Sequence, residues 1–218
     1  MAEILPSILT NEYQVLERQV RAAERFAPAL HIDIADGRFV PSLSITLADV
    51  RMVAPAIPFE LHLMIQRPEE VILDGIATGT RRMIIHRTAT DAPEDCFSAI
   101  RRGNCEAALA VSPETLSADI AQYLALIDQV TFLSEEPGFQ GGMLVPGVLQ
   151  KARQFHFEHP EVFMEVDGGM RMSNIGNIVA TGAQRFVIGS AIWRAADPAA
   201  VYRQFIAQIQ QQLSSSNI

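Results

Sequence analysis

The chain has 218 residues, 49% apolar and 19% charged, with a formal net charge of -8. This suits one globular domain, residues 1–218, with a sizeable core, and the acidic balance without a basic run argues against a nucleic-acid partner. No apolar segment approaches the roughly 20 residues that span a bilayer, so no membrane partner is expected.

Met1-Ala2-Glu3 lacks the basic-then-apolar pattern of a signal peptide. The expectation is a cytoplasmic protein in which Cys96 and Cys105, without metal-type spacing, are reduced core thiols. The single lysine, Lys151, falls in a predicted surface helix. Schiff-base chemistry therefore has almost no candidate, and a phosphate must be held by backbone N–H groups, helix N-termini or arginine.

Ile4–Leu9 reads as a first strand, and Thr10 or Asn11 can cap a helix running to about Phe26. Ala29–Ile34 is a second strand, and Leu47–Ala54 a short helix. Phe59–Met64 is a third strand, with Glu60, His62 and Met64 on one face. Pro68 opens a helix to about Ala77. Met83–His86 is a fourth strand, Pro93–Arg102 a helix and Glu106–Val111 a fifth strand. Pro113 starts a helix to Leu126. Gln129–Ser134 is a sixth strand, ending in the glycine-rich loop Glu135-Glu136-Pro137-Gly138-Phe139-Gln140-Gly141-Gly142. A helix follows from Val145 to about Glu158. Val162–Val166 is a seventh strand, closed by Asp167-Gly168-Gly169, and Ser173 or Asn174 caps a helix to Ala180. Arg185–Ile188 is an eighth strand, closed by Gly189-Ser190, and a last helix starts near Ala199. Residues 214–218 are expected to form a frayed polar tail.

Strands alternating with helices predict an α/β fold, a single (β/α)8 TIM barrel. The runner-up, an open doubly wound sheet, usually carries a GxGxxG turn after its first strand, which Ser7-Ile8-Leu9 does not match.

Barrel active sites lie at the C-terminal ends of the strands. The polar residues there are Ser7, His31, Asp33, His62, His86 and Asp167. His31 and Asp33 share a strand face, and with His62 and Asp167 they form a plausible divalent-metal shell suited to zinc, iron, manganese or cobalt. His86 reads better as a satisfied strand-end histidine, His156 and His159 as solvated, and Met64 as core or pocket floor. Gly138-Phe139-Gln140-Gly141, Gly168-Gly169 and Gly189-Ser190 are three successive glycine-bearing loops that let backbone N–H groups approach a phosphate.

In order, Pro6-Ser7-Ile8-Leu9, His31-Ile32-Asp33, Asp36-Gly37-Arg38-Phe39-Val40-Pro41, His62-Leu63-Met64, Pro137-Gly138-Phe139, Glu165-Val166-Asp167-Gly168-Gly169 and Gly189-Ser190 resemble the ribulose-phosphate 3-epimerase family over nearly the whole chain. The resemblance implies a metal-dependent 3-epimerase of ketose phosphates, of the D-ribulose 5-phosphate/D-xylulose 5-phosphate type. It implies one divalent metal on His31, Asp33, His62 and Asp167, with Asp33 and Asp167 as the acid–base pair. The phosphorylated ketose would contact Ser7, His62 and the glycine loops, and Met64 is placed with them as pocket floor. It leaves room for a homo-oligomer, although no interface is readable.

Ala35 and Leu133 stand where the family usually has methionine, Ser42 for asparagine, Thr88 for glutamate and Gly142 for glutamine, while Glu135 and Glu136 place negative charge near the expected phosphate. These departures keep open another ketose phosphate, such as a hexulose 6-phosphate, or a phosphosugar-binding protein of weak turnover. A barrel decarboxylase needs a strand-borne lysine, which Lys151 cannot supply.

Overall fold

Alternation along the strands decides which side chains fill the barrel and which meet the helices. Leu30, Ile32 and Ile34 point outward into the main apolar core, as do Phe59, Leu61 and Leu63, so His31, Asp33, Glu60 and His62 point inward. The computed structural model describes residues 2–112, 115, 117–135, 137–138, 141–142 and 144–215. Among them, eight parallel strands close into a barrel in chain order. They are β1 Glu3–Ile8, β2 Leu30–Ala35, β3 Phe59–Met64, β4 Arg82–His86, β5 Glu106–Val111, β6 Gln129–Leu133, β7 Met164–Asp167 and β8 Arg185–Ile188.

The helices among the described residues are α1 Tyr13–Ala23, α2 Leu47–Val53, α3 Ile72–Ala77, α4 Pro93–Arg102, α5 Ser117–Ala121, α6 Pro146–Glu158, α7 Ile175–Val179, α8 Ser190–Trp193 and α9 Pro198–Ser215. The expected barrel is therefore present, with every strand within two residues of its predicted bounds.

Several local expectations are corrected. Helix α1 starts after Glu12, and Thr10 instead receives the Glu12 N–H on its hydroxyl at 3.1 Å. Pro68 opens a single 3-10 turn, and α3 begins only at Ile72. The helix expected from Pro113 is confined to α5 in its described part, and Pro113 itself lies outside the described residues. Asn174 precedes α7 but its side chain accepts from the Arg171 N–H at 2.8 Å rather than capping. The short α8 has no sequence signal, because four residues carry too little periodicity to be read. Ser214 and Ser215, placed in the expected tail, finish α9, each hydroxyl donating at 2.9 Å to a carbonyl four residues back. Residues 216–218 lie outside the described residues.

Lys151 on α6 donates to the carbonyls of Ser112 and Thr115, tying the helix to the end of β5. His156 is not solvated as expected. Its ring lies against Gly182, where an added Cβ would come within 2.2 Å of it, and its Nδ1 is buried. Gly182 also has a φ of +86°, which a side chain disfavours. Gly182→Ala is expected to lower the unfolding free energy by about 2 kcal/mol, measured by urea denaturation, because strain and overpacking add.

Candidate active site

The end of β2 is held in place by its own loop. Ser44 accepts the Ala35 N–H at 2.8 Å and donates to the Asp33 carbonyl at 3.1 Å. The Asp36 carboxylate accepts the N–H groups of Arg38 and Phe39 at 2.8 and 2.9 Å and reaches Gln66 beyond β3 at 2.9 Å. Burial opposes its ionised form, but these three donors hold its pKa down. The Asp-Gly pair thus breaks the strand as expected and clamps the mouth of β2 to that of β3.

The register pairs Asp33 with His62 and Ser7 with His31, so three strands bring their inward side chains to one point. His62 Nδ1 lies 2.9 Å from Asp33 Oδ1 and 3.5 Å from Asp167 Oδ2. His31 Nε2 lies 3.3 Å from Asp33 Oδ1 and 3.8 Å from Asp167 Oδ2. All four ligand atoms lie within 4.8 Å of one another. A tetrahedral ion with ligands at about 2.0–2.2 Å needs edges of about 3.3–3.6 Å, so this donor set fits a divalent cation.

Behind it, His31 Nδ1 is 2.7 Å from Glu60 Oε1, the carboxylate–histidine arrangement that orients metal-binding imidazoles. Glu60 is in turn bonded by Arg82 Nη1 at 2.7 Å. Arg185 bonds Gln129 and Glu3, and Gln129, Thr131 and Glu165 form a chain with bonds of 2.9 and 3.0 Å. His31, Glu60, Glu165, Gln129 and Thr131 are all within 1% of fully buried. A buried polar layer of this kind holds together only while its members stay paired.

Burial disfavours the charged His31, yet Asp33, Asp167 and Glu60 raise its pKa well above the usual value. Burial likewise opposes ionised Asp33, and the two imidazoles pull its pKa well below the usual range. Asp167 differs: burial and the Asp33 charge outweigh the imidazoles and lift it to about 6. His86 is depressed, first by burial and then by His62, so it stays neutral. Its Nε2 lies 2.9 Å from His62 Nε2, its ring stacks on His62 at 5.0 Å, and it meets the Phe39 ring at a tilt, 4.6 Å away. It supports His62 from behind, as a satisfied strand-end histidine does.

A cleft opens above these groups. Its lining includes Ser7, Asp33, His62, Met64, Glu135, Asp167, Gly168, Gly169, Gly189 and Ser190, together with Gly138. Most of the expected substrate residues thus meet in one place. Gly141 stands at the rim, where an added Cβ would sit 3.2 Å from Ser190 Oγ. Phe139 and Gln140 lie outside the described residues. Gly168 and Gly169 have φ of +94° and +63°, a backbone path that side chains resist, and it turns the β7 loop over the cleft. Gly138 packs so closely on Val40 and Ser42 that the β6 and β2 loops meet across the mouth.

Sequence reasoning assigns no role to Glu60, although it shares an inward face with His62. It reads Glu135 only as nearby negative charge. Glu135 lines the cleft itself. Burial and the Asp167 charge lift its pKa to about 7 against the backbone N–H groups of Gly169 and Gly142. No helix among the described residues is long and apolar enough to cross a membrane.

A family model described as the ribulose-phosphate 3 epimerase family matches residues 3–193. Ribulose-phosphate 3-epimerase 2 of Cupriavidus necator is 30% identical, with 95% of this chain and 91% of that protein covered. Ribulose-phosphate 3-epimerase of Escherichia coli K12 is 30% identical, with 97% and 96% covered. Among solved structures, a ligand complex of KGPDC from Streptococcus mutans superposes with a TM-score of 0.78 at 14% identity, covering 96% of this chain and 98% of that one, a likeness of fold.

Glu60→Gln removes the charge behind His31 without changing its size. It is expected to weaken Mn²⁺ or Zn²⁺ binding by about 10- to 100-fold, read by isothermal titration of the full chain. Unchanged affinity would remove Glu60 from the centre.

Proposed function

The chain belongs to the ribulose-phosphate 3-epimerase family and is a ketose-phosphate epimerase, and from that premise we propose that it interconverts D-ribulose 5-phosphate and D-xylulose 5-phosphate with one divalent cation held by His31, Asp33, His62 and Asp167. The observation that carries this reading is the meeting of those four ligand atoms within 4.8 Å, at the floor of a cleft rimmed by glycine loops.

Inverting C3 requires a proton to leave one face of the sugar and another to arrive on the opposite face. Asp33 and Asp167 come from β2 and β7, which β1 and β8 separate in the barrel wall, and both line the cleft. The imidazoles bond Oδ1 of Asp33 and approach Oδ2 of Asp167. The remaining oxygen of each carboxyl is therefore the one that takes or gives the C3 proton. One carboxylate acts as base and the other, protonated, as acid, and the two exchange roles with the direction of the reaction. A bound cation would supply Lewis-acid polarisation of the C2 carbonyl and charge stabilisation as it becomes an enediolate. The Gly168-Gly169 and Gly189-Ser190 backbones hold the phosphate, with Ser7 and Met64 against the sugar. A hexulose 6-phosphate is the second substrate to consider, because Ala35 and Leu133 are shorter than methionine and Leu133 lines the cleft.

With metal supplied, C3 of D-ribulose 5-phosphate is expected to exchange with D₂O, followed by NMR. Asp33→Asn and Asp167→Asn each slow that exchange by about 10²- to 10⁴-fold, the usual contribution of a proton-transfer group. No exchange on any ketose phosphate by the metal-loaded protein would end this reading.

A further inference from the structure

Glu135 follows β6 by two residues and turns back into the cleft instead of out to solvent. Its carboxyl fills the space that glycines leave open. A Cβ added at Gly168 would sit 2.4 Å from its Cγ, and one at Gly142 would sit 2.9 Å from its Oε2. Backbone N–H groups of Gly169 and Gly142 favour its ionised form, but burial and the Asp167 charge outweigh them. Oε2 is buried and has no hydrogen-bond partner among the described residues. Positive charge lies on the outer side of the same loop: the Arg194 guanidinium is 3.3 Å from where a Gly141 Cβ would be, and Arg171 Nη2 reaches the Gly141 and Gly142 carbonyls at 3.4 Å. A carboxylate is thus seated among the N–H groups of a glycine cradle, where the phosphate of the proposed substrate has to go.

We propose that Glu135 is a specificity-determining residue whose carboxylate occupies the anion cradle of the free protein and competes with the substrate's phosphate for it. The inference rests on the phosphorylated-ketose reading above. Two like charges a few ångström apart in a partly buried site repel strongly, so phosphate enters only as the Glu135 side chain swings out. The residue sets how tightly a phosphorylated ketose is held, and it disfavours free inorganic anions that bring no sugar contacts to offset the repulsion.

Sulfate is the probe, because it carries the anion's charge without the sugar. Isothermal titration of sulfate into the full-length wild type, Glu135→Val and Glu135→Gln is expected to show both variants binding at least about tenfold more tightly, with KM for the phosphorylated ketose falling in step. Wild type binding sulfate as tightly as the folded variants, or more tightly, would overturn the inference and leave the epimerase reading standing, since C3 exchange is measured separately. If neither sulfate nor a phosphorylated ketose binds any of the three proteins while their melting transitions stay intact, the phosphorylated-substrate reading falls and this inference with it. Should Glu135→Val fail to fold, the isosteric Glu135→Gln decides alone on the same criterion.

Discussion

The 2.7 Å contact between His31 Nδ1 and Glu60 Oε1 joins the two halves of the barrel interior. Above it His31 Nε2 faces His62 and the two aspartates, and those three line the cleft. Below it Glu60 is tied to Arg82, and Arg82 to Glu106. The imidazole therefore has one nitrogen committed to structure and one left for the site. A buried histidine at this position would otherwise rotate, or lose its proton to a poorer partner. Rigid strands hold the other members of the cluster, and register alone sets Asp33 opposite His62. The centre is thus a property of the barrel wall more than of its loops.

The loops do a different task. The β2 loop is stitched by Asp36 and Ser44, and it meets the β6 loop where Gly138 packs on Val40 and Ser42. The cleft beneath them carries three carboxyl groups, Asp33, Asp167 and Glu135, of which burial and mutual repulsion raise the last two. So much negative charge is tolerable only if cations or protons arrive with it. The proposed metal answers that need on the floor. At the rim, Arg171 and Arg194 lie beside Gly141.

The barrel was legible because its strands are short apolar or alternating runs bounded by glycine and proline, and because units of this length repeat without a break. The cluster was legible because His31 and Asp33, two apart on one strand, must share a face, and His62 and Asp167 stand at the ends of two other strands. What escaped was long-range or local detail. Glu60 looks like any inward strand residue until the neighbouring strand places His31 against it. Glu135 looks like surface charge in a loop until the path of the backbone folds it onto Gly168. His156 sits at the polar end of an amphipathic helix, and only the close approach of Gly182 buries its ring. Helix starts at Tyr13 and Ile72 were displaced because turns with side-chain or 3-10 bonding intervene before the helical ladder begins.

The measurement that bears most directly on this account is a crystal structure of the full chain grown with Mn²⁺, with the ion located by anomalous scattering. The account predicts one ion within about 2.0–2.3 Å of His31 Nε2, Asp33 Oδ1, His62 Nδ1 and Asp167 Oδ2. An ion bound by other residues, or these four side chains left without one at saturating Mn²⁺, would contradict it.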